Sequence, residues 1–319
     1  MAASVIRALM LVLALAAARV EAQTPAPSGA ASPVRFSGYL QARETYQKDI
    51  GLSGSINRAR LTAAGGIVQS VTWRIQGEFR TGSVGTGKAS VALQDAYVRY
   101  APGPFALQIG QFKTPFTREF TTPLADVESA DRSTVVDSLA PKRDIGVMGE
   151  YAFGKHASLA VGVFNGEGQN VTANRDSTAL GVARLVVHPL PAVSLGANAA
   201  LYFSDSTRFG FDASYEGVKL TARAEYLEQH RNGLALADDQ GWYGLVGYFV
   251  VPTVQVIGKY EWFKRRGLTP TQRNRAWTGG VNLYPFNRNT RIVVEYLSRK
   301  VGDAGVTKEQ ILTQFQVKF

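Results

Sequence analysis

The chain has 319 residues, a formal charge of +10 and no cysteine. Without cysteine it is not a disulfide-stapled scaffold. Apolar residues make up 45% of it, yet only one apolar run approaches the length of about 20 that a membrane helix needs, and it lies at the extreme N-terminus.

That run is Met1 to Ala22. Arg7 supplies a short positive region, Ala8 to Ala18 an apolar core, and Val20-Glu21-Ala22 a small-x-small cleavage site before Gln23. This is the three-part layout of a secretory signal peptide. The alternative, a membrane anchor, needs a longer core than about 11 residues. Residues 23–33 are rich in Ala, Pro and Ser and read as a flexible leader. The mature domain is then 34–319.

From Val34 onward the chain repeats one theme, short segments in which apolar residues alternate with polar or small ones. Period-two alternation means strands with two unlike faces. Sixteen segments are predicted: 34–44, 55–67, 70–81, 89–100, 105–112, 143–152, 157–165, 177–187, 193–203, 207–216, 217–229, 240–250, 254–264, 275–285, 290–300 and 308–319. No segment reads as a helix. Connections after even-numbered strands are short, such as Ala101-Pro-Gly-Pro104 and Val251-Pro-Thr253. Those after odd-numbered strands are mostly longer and polar, such as Gln229 to Asp239 and Arg265 to Asn274. Ser204-Asp205-Ser206 breaks the rule. Short turns on one rim and long loops on the other are the layout of a transmembrane antiparallel β-barrel.

Alternation also assigns faces. In the third strand Val71, Trp73, Ile75 and Phe79 oppose Thr72, Arg74, Gln76, Glu78 and Arg80. In the eleventh, Val218, Leu220, Ala222, Ala224 and Tyr226 oppose Lys219, Thr221, Arg223 and Glu225. The second face carries too many charges to be buried dry, and a water-filled lumen accommodates them. The apolar face then meets outer-membrane lipid. Tyr100, Tyr151, Tyr215, Tyr248, Tyr260, Trp262, Tyr284 and Tyr296 lie near strand ends, as interfacial girdles require. The expected lumen set includes Arg58, Arg60, Arg74, Arg80, Arg99, Arg208, Lys219, Arg223 and Lys259, with acids Glu78, Asp95, Glu150, Asp212, Glu225 and Glu261. Opposite charges on neighbouring strands can simply pair, which leaves a salt-bridged wall as the alternative. The excess of base favours anions. Folding the second and third strands about a turn near Val68–Gln69 sets Arg58 opposite Arg80 and Arg60 opposite Glu78, with room for an anion or water between Arg58 and Arg80.

Lys113 to Arg143 breaks the strand pattern. A loop this long is often functional. It carries Lys113, Arg118, Arg132, Lys142 and Arg143 against Glu119, Asp126, Glu128, Asp131 and Asp137. As the third long loop it is expected to fold into the lumen. The alternative is a surface loop over the barrel mouth.

The last strand alternates Ile311, Thr313, Phe315, Val317 and Phe319 up to the C-terminus. An amphipathic strand closed by Phe resembles the signal read by the barrel-assembly machinery. Phe36-Ser-Gly-Tyr-Leu-Gln-Ala-Arg43, Arg58-Ala-Arg-Leu61, Asp95-Ala-Tyr-Val-Arg-Tyr100, Ile109-Gly-Gln-Phe-Lys-Thr-Pro-Phe-Thr-Arg-Glu119 and Arg143-Asp-Ile-Gly146 resemble the phosphate-selective porin O and P family. The resemblance implies a sixteen-stranded, trimeric, often anion-selective outer-membrane porin, and carries Arg58, Arg60, Lys113 and Arg143 over as motif positions. The chain is shorter than typical members. The candidate pore-lining and anion-binding residues are Arg58, Arg60, Arg74, Arg80, Lys113, Arg118, Arg132 and Arg143, with phosphate or other small anions as the expected solutes. A general, non-selective porin is the runner-up.

A barrel enzyme would need a nucleophile or acid pair with a base in reach. The chain has only His156, His188 and His230, the first two beside short turns and the third in a long loop, and they show no metal-ligand spacing. No catalytic group, metal or cofactor is implied. A purely structural barrel this wide would need a plug. Nucleic-acid binding would need the basic residues gathered on one face, whereas here they are spread around the wall.

Overall fold

The computed structural model describes residues 32–81, 89–174, 177–203, 206–231, 238–266, 272–302, 305 and 307–319. The expected signal peptide (1–22), nearly all of the leader, and Ser204-Asp205 of the exceptional short turn lie outside the described residues.

Sixteen strands form one sheet: β1 (Arg35–Gln47), β2 (Gly51–Val68), β3 (Val71–Arg80), β4 (Ser90–Tyr100), β5 (Phe105–Lys113), β6 (Arg143–Phe153), β7 (Ala157–Phe164), β8 (Leu180–Leu190), β9 (Val193–Tyr202), β10 (Ser206–Glu216), β11 (Leu220–Arg231), β12 (Asp239–Val251), β13 (Val254–Arg265), β14 (Gln272–Leu283), β15 (Thr290–Lys300) and β16 (Thr307–Lys318). Each pairs antiparallel with its sequence neighbours, and β1 pairs with β16 to close the barrel. Closure leaves no sheet edge, so every strand satisfies its backbone polar groups within the wall.

Alternation sets the two faces. On β3, Ile75 is 52% and Phe79 45% exposed, while Gln76 and Glu78 between them are 6% and 3% exposed. The apolar residues therefore face outward. Tyr100, Tyr151, Tyr215 and Tyr248 stand exposed near the short-turn ends of even-numbered strands, where a girdle is expected.

At the seam Gly38 and Phe319 exchange backbone hydrogen bonds of 2.9 and 3.0 Å. The Phe319 ring lies across Gly38, where an added Cβ would stand 2.8 Å from the ring. The terminal residue thus seals the first strand to the last.

Three local readings need correction. The gap expected at 45–54 is mostly strand. Tyr46 pairs with Leu52 in register, and the chain reverses through Asp49 (φ 73°) and Gly51 (φ 91°), residue types that tolerate the left-handed region. His230 lies in β11, opposite Thr207 of β10, because the alternation runs on to Arg231. Lys219 is exposed in the turn before β11, so it is not part of the wall.

The segment between β5 and β6 contains two short helices, α1 (Arg118–Thr121) and α2 (Thr134–Leu139). Both went unforeseen, since one or two turns show no 3.6-residue period. Thr117 and Ser133 cap them, accepting from the amides of Phe120 (3.0 Å) and Val136 (3.4 Å), as N-cap hydroxyls do. Phe116, Val135 and Val136 are fully buried. With Phe120 and Leu139 they form one apolar cluster that also takes in Met148 (β6), Phe164 (β7), Leu180 and Val182 (β8), Leu227 (β11), Tyr243 (β12) and Phe263 (β13). The polar face is therefore interrupted, from β6 to β13, by an apolar stripe covered by this segment.

Candidate functional site

The predicted basic residues fall into small clusters on the polar face, each built around one carboxylate. Arg60 opposes Glu78 in the β2–β3 register, and its Nε donates to Glu78 Oε2. Arg80 Nε lies 2.5 Å from Glu78 Oε1, and Arg58 Nε 3.8 Å from Oε2. Glu78 therefore stands among all three guanidiniums. The gap expected between Arg58 and Arg80 holds this carboxylate, because residues two apart on β3 share a face and Glu78 reaches back beside Arg80.

Asp95 centres the second cluster. The β3–β4 register shifts between Gln76 and Gly77, across from Gln94 and Asp95. This bulge buries both Gln94 and Asp95 on the polar side, as an extra residue in a ladder can do. Arg143 Nε donates to Asp95 Oδ1 at 2.7 Å, and Arg74 Nε lies 3.4 Å from Oδ2.

The third centre is Asp131, from the segment between β5 and β6. Arg43 of β1 grips it with two bonds, 2.8 and 3.0 Å. Burial pushes the Asp131 carboxyl up, but Arg43, aided by Arg58 and Lys259, holds it below the usual carboxylate range. Arg43 and Asp131 were absent from the predicted pore-lining set. Arg43 was legible, since it shares a face with Tyr39 and Gln41. Asp131 was not, since its position depends on tertiary folding of an irregular segment.

Lys113 and Arg132 differ from these. Lys113 Nζ donates to the carbonyls of Thr121 (3.1 Å) and Thr122 (2.9 Å). Arg132 donates to the carbonyls of Glu119, Phe120 and Thr122 at 3.1–3.2 Å. Both cations sit over the Phe120 ring, 5.6 and 5.1 Å from its centroid. Carbonyls and a ring face orient a cation without neutralising it. Burial lowers Arg132 to about 10, against the pull of Glu119 and Asp137 and with Arg143 and Arg58 pushing the same way. Arg118 is drawn away from this group and pairs with Glu216 at the end of β10.

Other polar-face residues, some of them expected in the wall and some not, tie to the β5–β6 segment instead. Arg223 pairs with Glu128, Arg208 donates to the Leu139 carbonyl at 2.8 Å, and Lys259 donates to the Asp131 carbonyl at 3.1 Å. Glu225 accepts from the Glu119 amide at 2.6 Å, Glu261 from Thr134 at 2.7 Å, and Glu295 from Ala130 at 2.8 Å. Arg291 donates to the Val127 carbonyl at 2.6 Å, and Gln316 to that of Ala125 at 2.9 Å. Arg99–Glu150 and Arg184–Asp212 are ordinary cross-strand pairs. Among the described residues no group of three His, Asp or Glu side chains could hold a metal.

A closed barrel with an apolar exterior and ionised side chains on its other face is built as a transmembrane channel. Residues 36–235 match the family model described as phosphate-selective porin O and P, so the chain belongs to that family. It is an outer-membrane porin. No curated protein sequence matches it. Among solved structures it is similar to an anion-selective porin from Comamonas acidovorans, with 11% identity over 90% of this chain and 100% of that one and a TM-score of 0.69. The trimer form of OmpT, an outer membrane protein of Vibrio cholerae, matches at 13% identity over 91% and 100% of the two chains, TM-score 0.66. The outer membrane channel DcaP of Acinetobacter baumannii matches at 14% identity over 90% and 97%, TM-score 0.64. At these identities the likeness is one of fold.

Proposed function

We propose that this porin passes small anions, phosphate among them, in preference to cations, through a lumen narrowed by residues 114–142. One observation carries the reading: basic groups outnumber carboxylates at the centre of the site. Arg58, Arg60 and Arg80 share Glu78, Arg74 and Arg143 share Asp95, and Arg132 is held by carbonyls and a ring. Fixed positive charge in a low-dielectric wall concentrates anions and repels cations. The pairs Arg99–Glu150 and Arg184–Asp212 favour the second reading, a salt-bridged wall without selectivity.

Support for the narrowing comes from the bonds that join residues 114–142 to polar-face side chains of β1, β10, β11, β13, β15 and β16. A loop lying over the mouth would leave most of those side chains to solvent. Export by a signal peptide cleaved near Ala22, assembly through Phe319, and a homotrimer like that of the OmpT neighbour belong to the same proposal.

The test is a pair of bilayer measurements. Arg58→Gln with Arg80→Gln weakens anion preference, most at low salt where screening is least. Trimming residues 123–133 raises single-channel conductance. An unchanged reversal potential at low salt removes the arginines from the pathway. Unchanged conductance places the loop outside the lumen.

A further inference from the structure

The connection between β7 and β8 is held more firmly than a surface loop needs. Asp144, buried at the start of β6, accepts from the amides of Ile145 at 2.7 Å and Gly166 at 2.6 Å, and from that of Gly168. Gly166 and Gly168 take φ values of 90° and 92°, which any other residue type would adopt only under strain. Further along, Asn170 and Gln111 of β5 exchange two hydrogen bonds. The Asn170 amide donates to Gln111 Oε1 at 2.7 Å, and Gln111 Nε2 donates to Asn170 Oδ1 at 2.9 Å. A buried carboxylate and a buried carboxamide thus fix residues 166–170 in place.

What they fix is one wall of a cavity. It has a volume of about 250 Å³ and lies at the rim of the long connections, among residues 166–168, the end of the β5–β6 segment and the rim ends of β8, β9 and β10. Ala140, Leu180 and Tyr202 give it apolar surface, and Lys142, Arg143 and Arg208 outnumber Asp144 and Glu167 around it. Asp144 already serves its three amides, and Arg143 is taken by Asp95. Lys142 is the accessible cation. Its side chain is 51% exposed, and its partner Asp137, 3.8 Å away, is exposed too. The Arg208 guanidinium lies over the Tyr202 ring, 4.6 Å from the centroid.

Size and chemistry select the occupant. A cavity of about 150 Å³ holds benzene, so this one has room for a ring with a substituent. A hydrated inorganic anion would shed water against Leu180 and Tyr202 without gaining partners there. A ligand with a flat apolar body and one carboxylate uses both surfaces. Its body meets Leu180 and the Tyr202–Arg208 stack, and its charge meets Lys142.

We propose that this cavity binds a small aromatic carboxylate at the channel mouth, with Lys142 on its charge and Leu180 and Tyr202 on its ring. The site goes beyond the anion preference of the lumen, because a non-selective channel would hold the same ligand.

The probe is benzoate, titrated calorimetrically into the full-length barrel in detergent, with acetate as the charge-only and benzamide as the ring-only comparator. Benzoate should bind about tenfold more tightly than either. Lys142→Gln should weaken benzoate by about fivefold, the upper range for a half-exposed ion pair, and Lys142→Arg should retain it within about threefold. Tyr202→Leu should also weaken it by about fivefold, as loss of an aromatic contact does. Lys142→Gln should narrow the gap between benzoate and benzamide, and Tyr202→Leu the gap between benzoate and acetate. Lys155→Gln, in the exposed turn between β6 and β7, should change nothing. Heat-modifiable migration verifies that each variant is a closed barrel. The proposal fails if acetate or benzamide binds wild-type barrel as tightly as benzoate, or if Lys142→Gln leaves benzoate binding unchanged. Displacement of benzoate by an equal concentration of inorganic phosphate would also overturn it, and would assign the cavity to the ion path.

Discussion

Glu78 is the most informative single residue in the wall. Its side chain is 3% exposed, and it serves Arg60 (5% exposed), Arg58 (13%) and Arg80 (45%). Glu78→Gln keeps the shape and removes one negative charge. Two consequences separate cleanly. Breaking a buried ion pair by removing one partner costs about 3–5 kcal/mol, and here that is the Arg60 contact. Arg80 is nearly half exposed and screened, so its share is under about 1 kcal/mol. The barrel should still close, with a lowered unfolding temperature. In the pore, one elementary charge at roughly 7 Å in water contributes about 0.6 kcal/mol per passing ion. Local anion concentration should rise about threefold, with a matching fall for cations. The assay is the reversal potential of single channels across a salt gradient, at about 0.01 M and again at 1 M, where the Debye length shrinks from about 30 to 3 Å. Glu78→Gln should move the low-salt value further toward the anion potential and leave the high-salt value nearly fixed. A shift toward cations, or none at low salt, would mean that this cluster does not border the ion path.

Three further outcomes follow from the same geometry. Phe116→Ala empties a fully buried site in the apolar cluster and should destabilise docking of residues 114–142 by about 3–5 kcal/mol, seen as added open-channel noise. The loop carboxyls respond to pH with opposite signs. Burial raises Glu119 and Glu128 above their usual range, so their contribution is full below the unfolded value and is lost as pH rises through the raised one. Asp131 is depressed by Arg43, so its contribution is lost only as pH falls through that lower value. Channel noise should therefore decrease as pH falls from above the raised Glu119 and Glu128 values towards the ordinary carboxylate range and increase again below that range, and a monotonic rise on acidification would contradict the assignment. Deleting Phe319, whose backbone closes on Gly38, should cut the yield of assembled barrel while the barrels that do form keep wild-type selectivity, as bilayer recordings would show.

The barrel was legible because its strands carry their information locally. Ile75, Phe79, Gln76 and Glu78 announce their faces by parity alone, and the Arg60–Glu78 pairing follows from one turn. The first hairpin was misjudged because Asp49 and Gly51 make a tight reversal where length alone read as a loop. The bulge at Gln94–Asp95 was invisible, since a one-residue slip leaves no mark on composition. The largest omission was the apolar stripe on the polar face. Met148, Leu180, Leu227 and Phe263 sit there because Phe116, Phe120, Val136 and Leu139 cover them. That partnership exists only in three dimensions, and so does the Arg43–Asp131 contact.

The central claim is tested most directly by the wild-type channel in a tenfold potassium chloride gradient. An anion-preferring pore gives a reversal potential of the chloride sign that falls in magnitude as both salt concentrations are raised. A potential of the potassium sign, or one near zero at the lowest salt, would contradict it.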